Sequence, residues 1–444
     1  MVYMVVMKRK RFFVVRWLVF VMVLVAVGTG FVWGHQIEDF VNEGVLGNTR
    51  QDGGPVKFDG GMVVHFIDVG QGDAAVIEFP GGERMLVDAG RWNITQNAFR
   101  RYLDEQIFNG GDWVFDWFIA THSHADHIGD GAHVLSHASV RNVVRPLTFT
   151  ANEFNTHEYE RWGLSRPVTV HHASGSTQSN PSASPATFNN FISAMNNATW
   201  TDGSPTNVYI PRRGKQFHVG AGATRATVTF YSPTRPYYGT GNINHYSTIF
   251  CVYFNGRRIM FTGDAYVKNE NYALNPSTIP TVGNPWNRYL SLALPSNIDI
   301  LDLGHHGSNT SNGAAFLSHV NPSYAIIQVG TPGTVAQGGT GNSYGHPHNV
   351  VLNRLPANTT IWRTDQDGDI VIKISADGDA LEVGGVISPP PFWVAYWMMA
   401  IVVVVISSAL IIPDFVGKKS NASTPRNNNT RNNSNRRGST ARRR

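Results

Sequence analysis

A chain of 444 residues with 36 Lys+Arg against 31 Asp+Glu has a formal net charge of +5, but the basic excess sits at its ends. Residues 1–33 carry five Lys/Arg and no acid, and residues 414–444 carry nine against Asp414, so the stretch between them holds 22 basic and 30 acidic residues, a net of −8. That middle lacks the bulk positive charge with which proteins grip polynucleotide non-specifically, and the single cysteine, Cys251, excludes an intrachain disulfide.

The length leaves room for two or three domains. Lys8–Arg11 and Arg16 precede or open the apolar run Phe12–Trp33, which is long enough to cross a bilayer core. It reads as an uncleaved anchor, longer than the apolar stretch of a secretory signal peptide, which is the alternative reading of 1–33. Residues 34–60, with Asn48, Gly53, Gly54 and Pro55, read as a linker. Met62–Val69 and Ala74–Phe79 alternate as strands around the turn Gly70-Gln71-Gly72-Asp73. Asn97–Phe108 has Phe99, Leu103 and Ile107 at helical spacing.

Phe115–Ala120 is a short apolar run that reads as a buried strand. Directly after it comes Thr121-His122-Ser123-His124-Ala125-Asp126-His127. In a His-x-His alternation at a strand end both imidazoles fall on one side, while Asp126 and His127 can turn toward a second point nearby. Histidine and carboxylate without thiolate suit Zn, Mn or Fe in a hydrolytic site. The Ser/Thr/Asn/Pro-rich stretch 173–206, with a possible short helix at Phe188–Asn196, reads as an insertion beside that site. Strand patterns resume at Thr227–Tyr231 and Ser247–Phe254, the latter joined to Arg258–Phe261 by the hairpin turn Asn255-Gly256. Asp299–Leu303, Tyr324–Val329 and Ile370–Ile374 are later strands, and Val350–Leu355 is a short helix. Strands then helices, twice over, suggest two sheets sandwiched between helices. Pro389–Pro391 is a stiff spacer to a second apolar run, Phe392–Ile412, with Trp393 and Trp397 near one edge and a basic, Asn/Ser/Arg-rich tail from 414 that reads as disordered.

Several of these segments together resemble the metallo-β-lactamase superfamily, in the ComEC-like branch found in competence DNA-uptake proteins. They are Phe66–Ala74 with Met85–Gly90, the His122–His127 motif, Phe261-Thr262-Gly263-Asp264-Ala265, Gly304-His305-His306-Gly307-Ser308, Tyr344-Gly345-His346-Pro347-His348 and Thr364–Gly368. They occur in the family's order over roughly 64–375, and do not extend to the polytopic channel of the competence proteins. The resemblance implies an αββα sandwich over 61–385 and a centre for two divalent ions, Zn or Mn. His122, His124, Asp126 and His127 are ligands on that comparison, and Asp264 is the bridging one. His346 is then assigned to the metal, with Asp126 and His305 or His306 in the catalytic step; His305 as ligand instead is the other assignment. The metal-binding His usual before the Gly-Asp turn has no clear counterpart. His245 is nearest, within Asn244-His245-Tyr246-Ser247, which looks more like the Asn-x-x-Ser of the competence branch. Asp73 and Asp88 fall in family motifs as supports for the ligands.

Paired ions lower the pKa of a water and stabilise charge on a phosphoryl oxygen, so the expectation is a hydrolase of phosphodiesters, with DNA as the substrate the resemblance favours. An ester or phosphodiester on a small or envelope-bound molecule is the alternative. Gly70-Gln71-Gly72 runs into Asp73, not a helix start, so no nucleotide cofactor is expected. The basic ends place both termini in the cytoplasm and the catalytic domain, residues 61–385, outside the cell membrane.

Overall fold

The computed structural model describes residues 60–91, 96–147, 163–164, 185–234, 242–279, 291–333 and 340–386. All belong to one compact unit, 1–387; the second unit, 388–444, lies outside the described residues. So do both apolar runs and the expected linker, spacer and tail. Among the described residues no helix is long and apolar enough to cross a membrane.

Two sheets form the body. The first is built from β1 (Met62–Phe66), β2 (Ala75–Glu78), β3 (Arg84–Val87), β4 (Val114–Ile119), β5 (Ser139–Val144), β6 (Gly163–Leu164) and β7 (Asn207–Tyr209). The second is built from β8 (Gln216–Val219), β9 (Ala226–Phe230), β10 (Phe250–Phe254), β11 (Arg257–Phe261), β12 (Ile300–Asp302), β13 (Tyr324–Ile327) and β14 (Thr360–Arg363). β15 (Asp369–Ile374) and β16 (Leu381–Val386) then return to the first sheet, whose order is β16-β15-β1-β2-β3-β4-β5-β7-β6; the second runs β14-β13-β12-β11-β10-β9-β8. Each sheet is antiparallel in one half and parallel in the other, β3-β4-β5-β7 in the first and β11-β12-β13-β14 in the second. The carboxyl ends of parallel strands are where open α/β sheets present their ligands.

Period-two alternation decides which residues meet. Met62, Val64, Phe66, Ala75, Ile77, Val87 and Ile119 of the first sheet pack against Val228, Phe250, Val252, Ile259 and Phe261 of the second, closing one buried layer between them. The intervening residues face outward to helices. Val76, Leu86 and Phe118 pack with Phe99 and Tyr102 of α1 (Gln96–Tyr102) and with Val134 and Leu135 of a later helix, Gly131–His137. Cys251, Met260 and Leu301 pack with Phe316 and Leu317 of the helix Ala314–Val320. Layer order is therefore helix, sheet, sheet, helix, as the sequence suggests. Cys251 is a core residue, its thiol pKa pushed up by burial. Asn255 and Gly256 both have positive φ, 43° and 85°, the backbone that a two-residue type I′ hairpin demands.

In the described part of the stretch expected as an insertion over 173–206, the short helix expected at Phe188–Asn196 is present and three residues longer at its start. Pro185–Asn197 is a helix that buries Phe188, Phe191, Ile192 and Met195 against the outer face of the first sheet, and the chain then enters β7. Apolar residues at helical spacing outweigh the polar composition around them. The edge strands β8, β14 and β16 have no counterpart among the expected elements.

Candidate metal centre

β4 ends at Ile119, and the next residues pass from extended backbone into the single helical turn α2 (Ala125–Ile128). This puts His122 and His124 before the turn and Asp126 and His127 on it. Asp88, just beyond the parallel neighbour β3, holds the loop in place. Its carboxylate accepts from Thr121 N and Thr121 Oγ1, both at 2.7 Å, and from His127 Nδ1 at 2.8 Å. With Nδ1 donating to Asp88, Nε2 is the nitrogen of His127 left for another partner, and it faces Asp264 Oδ1 at 3.1 Å. Burial pushes the Asp88 carboxyl up to about 6 against the pull of the His127 imidazole. The turn between β1 and β2 closes over the same loop. Asp73 N donates to Asp126 O at 3.0 Å, and a Cβ on Gly72 would lie 2.5 Å from that oxygen, so the approach needs glycine.

Asp264 comes from the second sheet, three residues after β11. The turn that presents it passes through Gly263, at φ 47°, where a Cβ would meet the Thr121 side chain at 2.8 Å. Thr121 and Gly263 thus seat the two strand ends on each other. The Asp264 carboxylate is 2% exposed. Its Oδ1 faces His127 Nε2 at 3.1 Å and His306 Nε2 at 3.9 Å. Its Oδ2 faces His122 Nε2 and His305 Nε2, both at 3.5 Å, and His124 Nδ1 at 4.0 Å. Burial opposes ionisation of Asp264, and the imidazoles of His305, His127 and His122 more than offset it, holding the group well below the usual carboxylate range.

His305 and His306 stand beyond β12 in a tight turn, Gly304–Gly307, both with left-handed backbone at φ 55° and 53°. Such a conformation costs on the order of 1–3 kcal/mol for each non-glycine residue, and here it aims two adjacent rings at one carboxylate. His306 Nδ1 donates to the Gln328 carbonyl at 2.9 Å, since a carbonyl only accepts, so Nε2 is again the nitrogen left for another partner. That atom is 3.5 Å from Asp126 Oδ2. His305 lies more openly, its ring stacked on Tyr266 with centroids 5.6 Å apart and its Nδ1 2.9 Å from Thr310 Oγ1.

Two trios have ligating atoms mutually within 4.8 Å: His122, His124 and Asp264, and Asp73, His127 and His306. In the second trio Asp73 faces the Nδ1 edges of both rings, at 3.7 and 3.1 Å, the side on which Asp88 and Gln328 already bind. The opposite edges share Asp264 Oδ1, and Asp126 completes that side. His127 Nε2, His306 Nε2 and Asp264 Oδ1 are all buried with no hydrogen-bond partner. Three buried polar atoms without partners converging here are costly unless something meets them, and a dication is a partner that two imidazole nitrogens and a carboxylate oxygen could share. His122 is suited to the same task, burial and the neighbouring His127 driving its pKa down to about 3 and leaving the neutral, ligating form.

Of the eight residues singled out in the sequence, seven meet at Asp264: His122, His124, Asp126, His127, His305, His306 and Asp264 itself. His346 does not reach the carboxylates. It is 8% exposed, fastened through its backbone by Asn342, and its ring lies 5.6 Å from that of His305 and 6.2 Å from that of His306. Exposed Tyr344 stacks on its outer face at 5.5 Å. Burial, together with the neighbouring His306 and His305 rings, drives the His346 pKa down to about 3 and keeps it neutral. His245 turns away, its Nδ1 3.1 Å from Asn269 Oδ1 and its ring against Tyr266. The neighbouring Asn244 points inward instead. Gln328, Thr310 and Asn342 support the centre without any signal in the sequence beyond their place near its motifs. Among the described histidines outside the motifs, His133, His137, His218 and His319 make their contacts elsewhere.

A helix–sheet–sheet–helix fold with His and Asp converging from strand ends of both sheets is the arrangement of a metal-binding α/β protein. The metallo-beta-lactamase superfamily model matches residues 67–330, and the chain belongs to that superfamily. Among curated proteins it is 24% identical to ComE operon protein 3 of Bacillus subtilis (strain 168), over 69% of this chain and 32% of that protein. It is 33% identical to competence protein ComA of Neisseria gonorrhoeae, over 30% of this chain and 16% of that one. The chain thus spans a third or less of the length of these relatives. A solved structure similar to it is the metallo-beta-lactamase fold protein YhfI of Bacillus subtilis, at a TM-score of 0.37 and 11% identity, covering 70% of this chain and 98% of that one.

Proposed function

We propose that this protein is a membrane-anchored hydrolase that holds two divalent ions, Zn or Mn, and cleaves phosphodiesters on the outer face of the membrane, with DNA as substrate. One observation carries the reading: the two oxygens of Asp264 face different donor groups, Oδ1 toward His127 and His306, Oδ2 toward His122 and His124. A carboxylate so placed joins two ions. In this reading His127, His306, Asp126 and Asp264 hold one ion and His122, His124 and Asp264 the other. His306 takes the ligand role that the sequence alone assigned to His346, because its Nε2 reaches Asp126 and Asp264 and that of His346 does not.

When bound, the ions lower the pKa of a water and offset charge on the phosphoryl oxygens. The chain's own residues do the rest. Asp126, with 26% of its side chain exposed, reaches solvent and can accept the proton of an attacking water. His305, with 19% exposed at the same opening, meets the substrate phosphate. His346 and Tyr344 line the entrance beside it.

DNA as substrate rests on the likeness to competence proteins, and the anchor on the composition of Phe12–Trp33 and Phe392–Ile412 with their flanking Lys and Arg. A second reading, an envelope-bound ester or phosphodiester, is favoured by the net charge of −8 between the two runs. The test is hydrolysis by the full chain in detergent, with Mn or Zn added to metal-free protein, of single-stranded DNA and of bis-p-nitrophenyl phosphate. Metal-dependent cleavage of both supports the proposal. Cleavage of the small diester alone favours the second reading, and inertness toward both with either metal contradicts the hydrolase.

A further inference from the structure

Asn244 lies in a short 3-10 turn, Ile243–Tyr246, fixed at its start by the Asn242 side chain, which accepts from Asn244 N at 3.0 Å. The turn directs the Asn244 side chain into the protein, where the residue is 2% exposed. Its terminal amide stands 3.5 Å from Asp264 Oδ2 and 3.4 Å from His305 Nε2 through the atom assigned as Nδ2, while Oδ1 is buried with no hydrogen-bond partner. Oxygen and nitrogen of an amide differ little in shape, so their assignment follows from the surrounding network. The present orientation spends the donor on long contacts and strands the acceptor, and a buried amide oxygen without a partner is costly. Turned by half a rotation, Oδ1 would face Asp264 Oδ2. Two oxygens facing each other at that distance repel unless a cation lies between them.

The surroundings supply the remainder of a cation site. Asp264 Oδ2 is 3.5 Å from His122 Nε2, which is 3.0 Å from His124 Nδ1. Donors about 2.0–2.2 Å from one ion stand roughly 3–3.5 Å from each other, the spacing of His122 Nε2 from His124 Nδ1 and from Asp264 Oδ2 and of the Asn244 amide from Asp264 Oδ2, with His124 Nδ1 4.0 Å from that oxygen. On the reading that Asp264 joins two ions, we propose that the Asn244 side-chain oxygen is a ligand of the His122–His124–Asp264 ion. It makes that site two nitrogens and two oxygens, against a sulfur-free but more anionic partner site, and an added neutral oxygen donor favours Mn over Zn there. His245, one residue on, is committed to Asn269 and takes no part.

The experiment is competitive metal titration of the metal-free full chain, with bound Mn and Zn counted by elemental analysis and the fold checked by circular dichroism. Three variants separate the roles. Asn244→Leu keeps the size and removes the oxygen, and is expected to weaken one of two ions by about 10-fold or more while the other binds as in the wild type. Asn244→Asp keeps the oxygen and removes the NH2, and is expected to hold both ions at least as tightly as wild type. Asn244→His is expected to move the weaker ion's preference toward Zn. The proposal is overturned if Asn244→Leu, correctly folded, binds both ions with wild-type affinity. It is also overturned if Asn244→Asp loses the ion as Asn244→Leu does, because the amide would then act through its NH2. A wild type that binds only one ion defeats the two-ion reading itself, a result visible before any variant is made.

Discussion

The two sides of Asp264 are built differently. On the Oδ1 side each imidazole is locked from behind, His127 by Asp88 and His306 by the Gln328 carbonyl, so both aim Nε2 at the same carboxylate oxygen. On the Oδ2 side His122 and His124 stand 3.0 Å apart, with Asn244 and the more exposed His305 completing the group. Partners behind a ligand fix its tautomer and raise its basicity. On the two-ion proposal, the Oδ1 side would be the preorganised, tighter half and the Oδ2 side the looser and more selective one.

Replacing the residue common to both sides has the largest expected effect. On the two-ion proposal Asp264→Asn would remove the charge that both cations share, and turnover of bis-p-nitrophenyl phosphate should fall by more than the roughly 100-fold that loss of a supporting partner costs. Unchanged turnover would break the comparison at its root. Next in size is the choice between histidines: His306→Ala should lose the tighter ion, whereas His346→Ala should keep both and mainly raise KM. Metal analysis of the two purified variants decides it, and the opposite pattern returns the ligand role to His346. Asp88→Asn leaves every direct ligand in place but weakens the lock on His127. It should reduce affinity on the Oδ1 side by about 10–100-fold, and an equal loss on both sides would show that the halves are not separable.

The smallest effect lies outside the centre and separates the ions' pH dependence from the fold's. Glu270 is buried between the helix Val267–Leu274 and the loop at Asn312 and Gly313, whose N–H groups it accepts at 2.6 and 2.7 Å. Burial raises its pKa from 4.5 to about 7 despite those bonds. Between these values the unfolded chain releases this proton and the folded chain keeps it, so stability falls as pH rises from 4.5 to 7 and then levels off. The contribution is on the order of 2–3 kcal/mol. Glu270→Gln should flatten that part of the stability profile of metal-free protein in urea titrations and leave turnover unchanged. An unaltered slope would place the proton elsewhere.

What could be read from the residues follows from how local the determinants are. His122 through His127 are consecutive at a strand end, and Asp264 follows a Gly turn, so their positions hardly depend on distant packing. The alternation in β1, β2, β10 and β11 similarly fixes which faces meet between the sheets. The position of His306 against Asp126 and Asp264, on which its proposed preference over His346 rests, was not legible, because it turns on left-handed backbone at two successive histidines and on a carbonyl 22 residues away. Asn244 and His245 are adjacent, and their opposite directions are set by a 3-10 turn that the residues do not announce. The helix Pro185–Asn197 was half visible: Phe188, Phe191, Ile192 and Met195 have the spacing, but Ser, Asn and Pro around them look like a loop.

The most direct test of the shared carboxylate is anomalous diffraction from crystals of the protein soaked in manganese. The account predicts two peaks roughly 3.5–4 Å apart, one on each side of Asp264, the first among Asp126, His127 and His306 and the second among His122, His124 and Asn244. A single peak, or two peaks of which only one contacts Asp264, would contradict it.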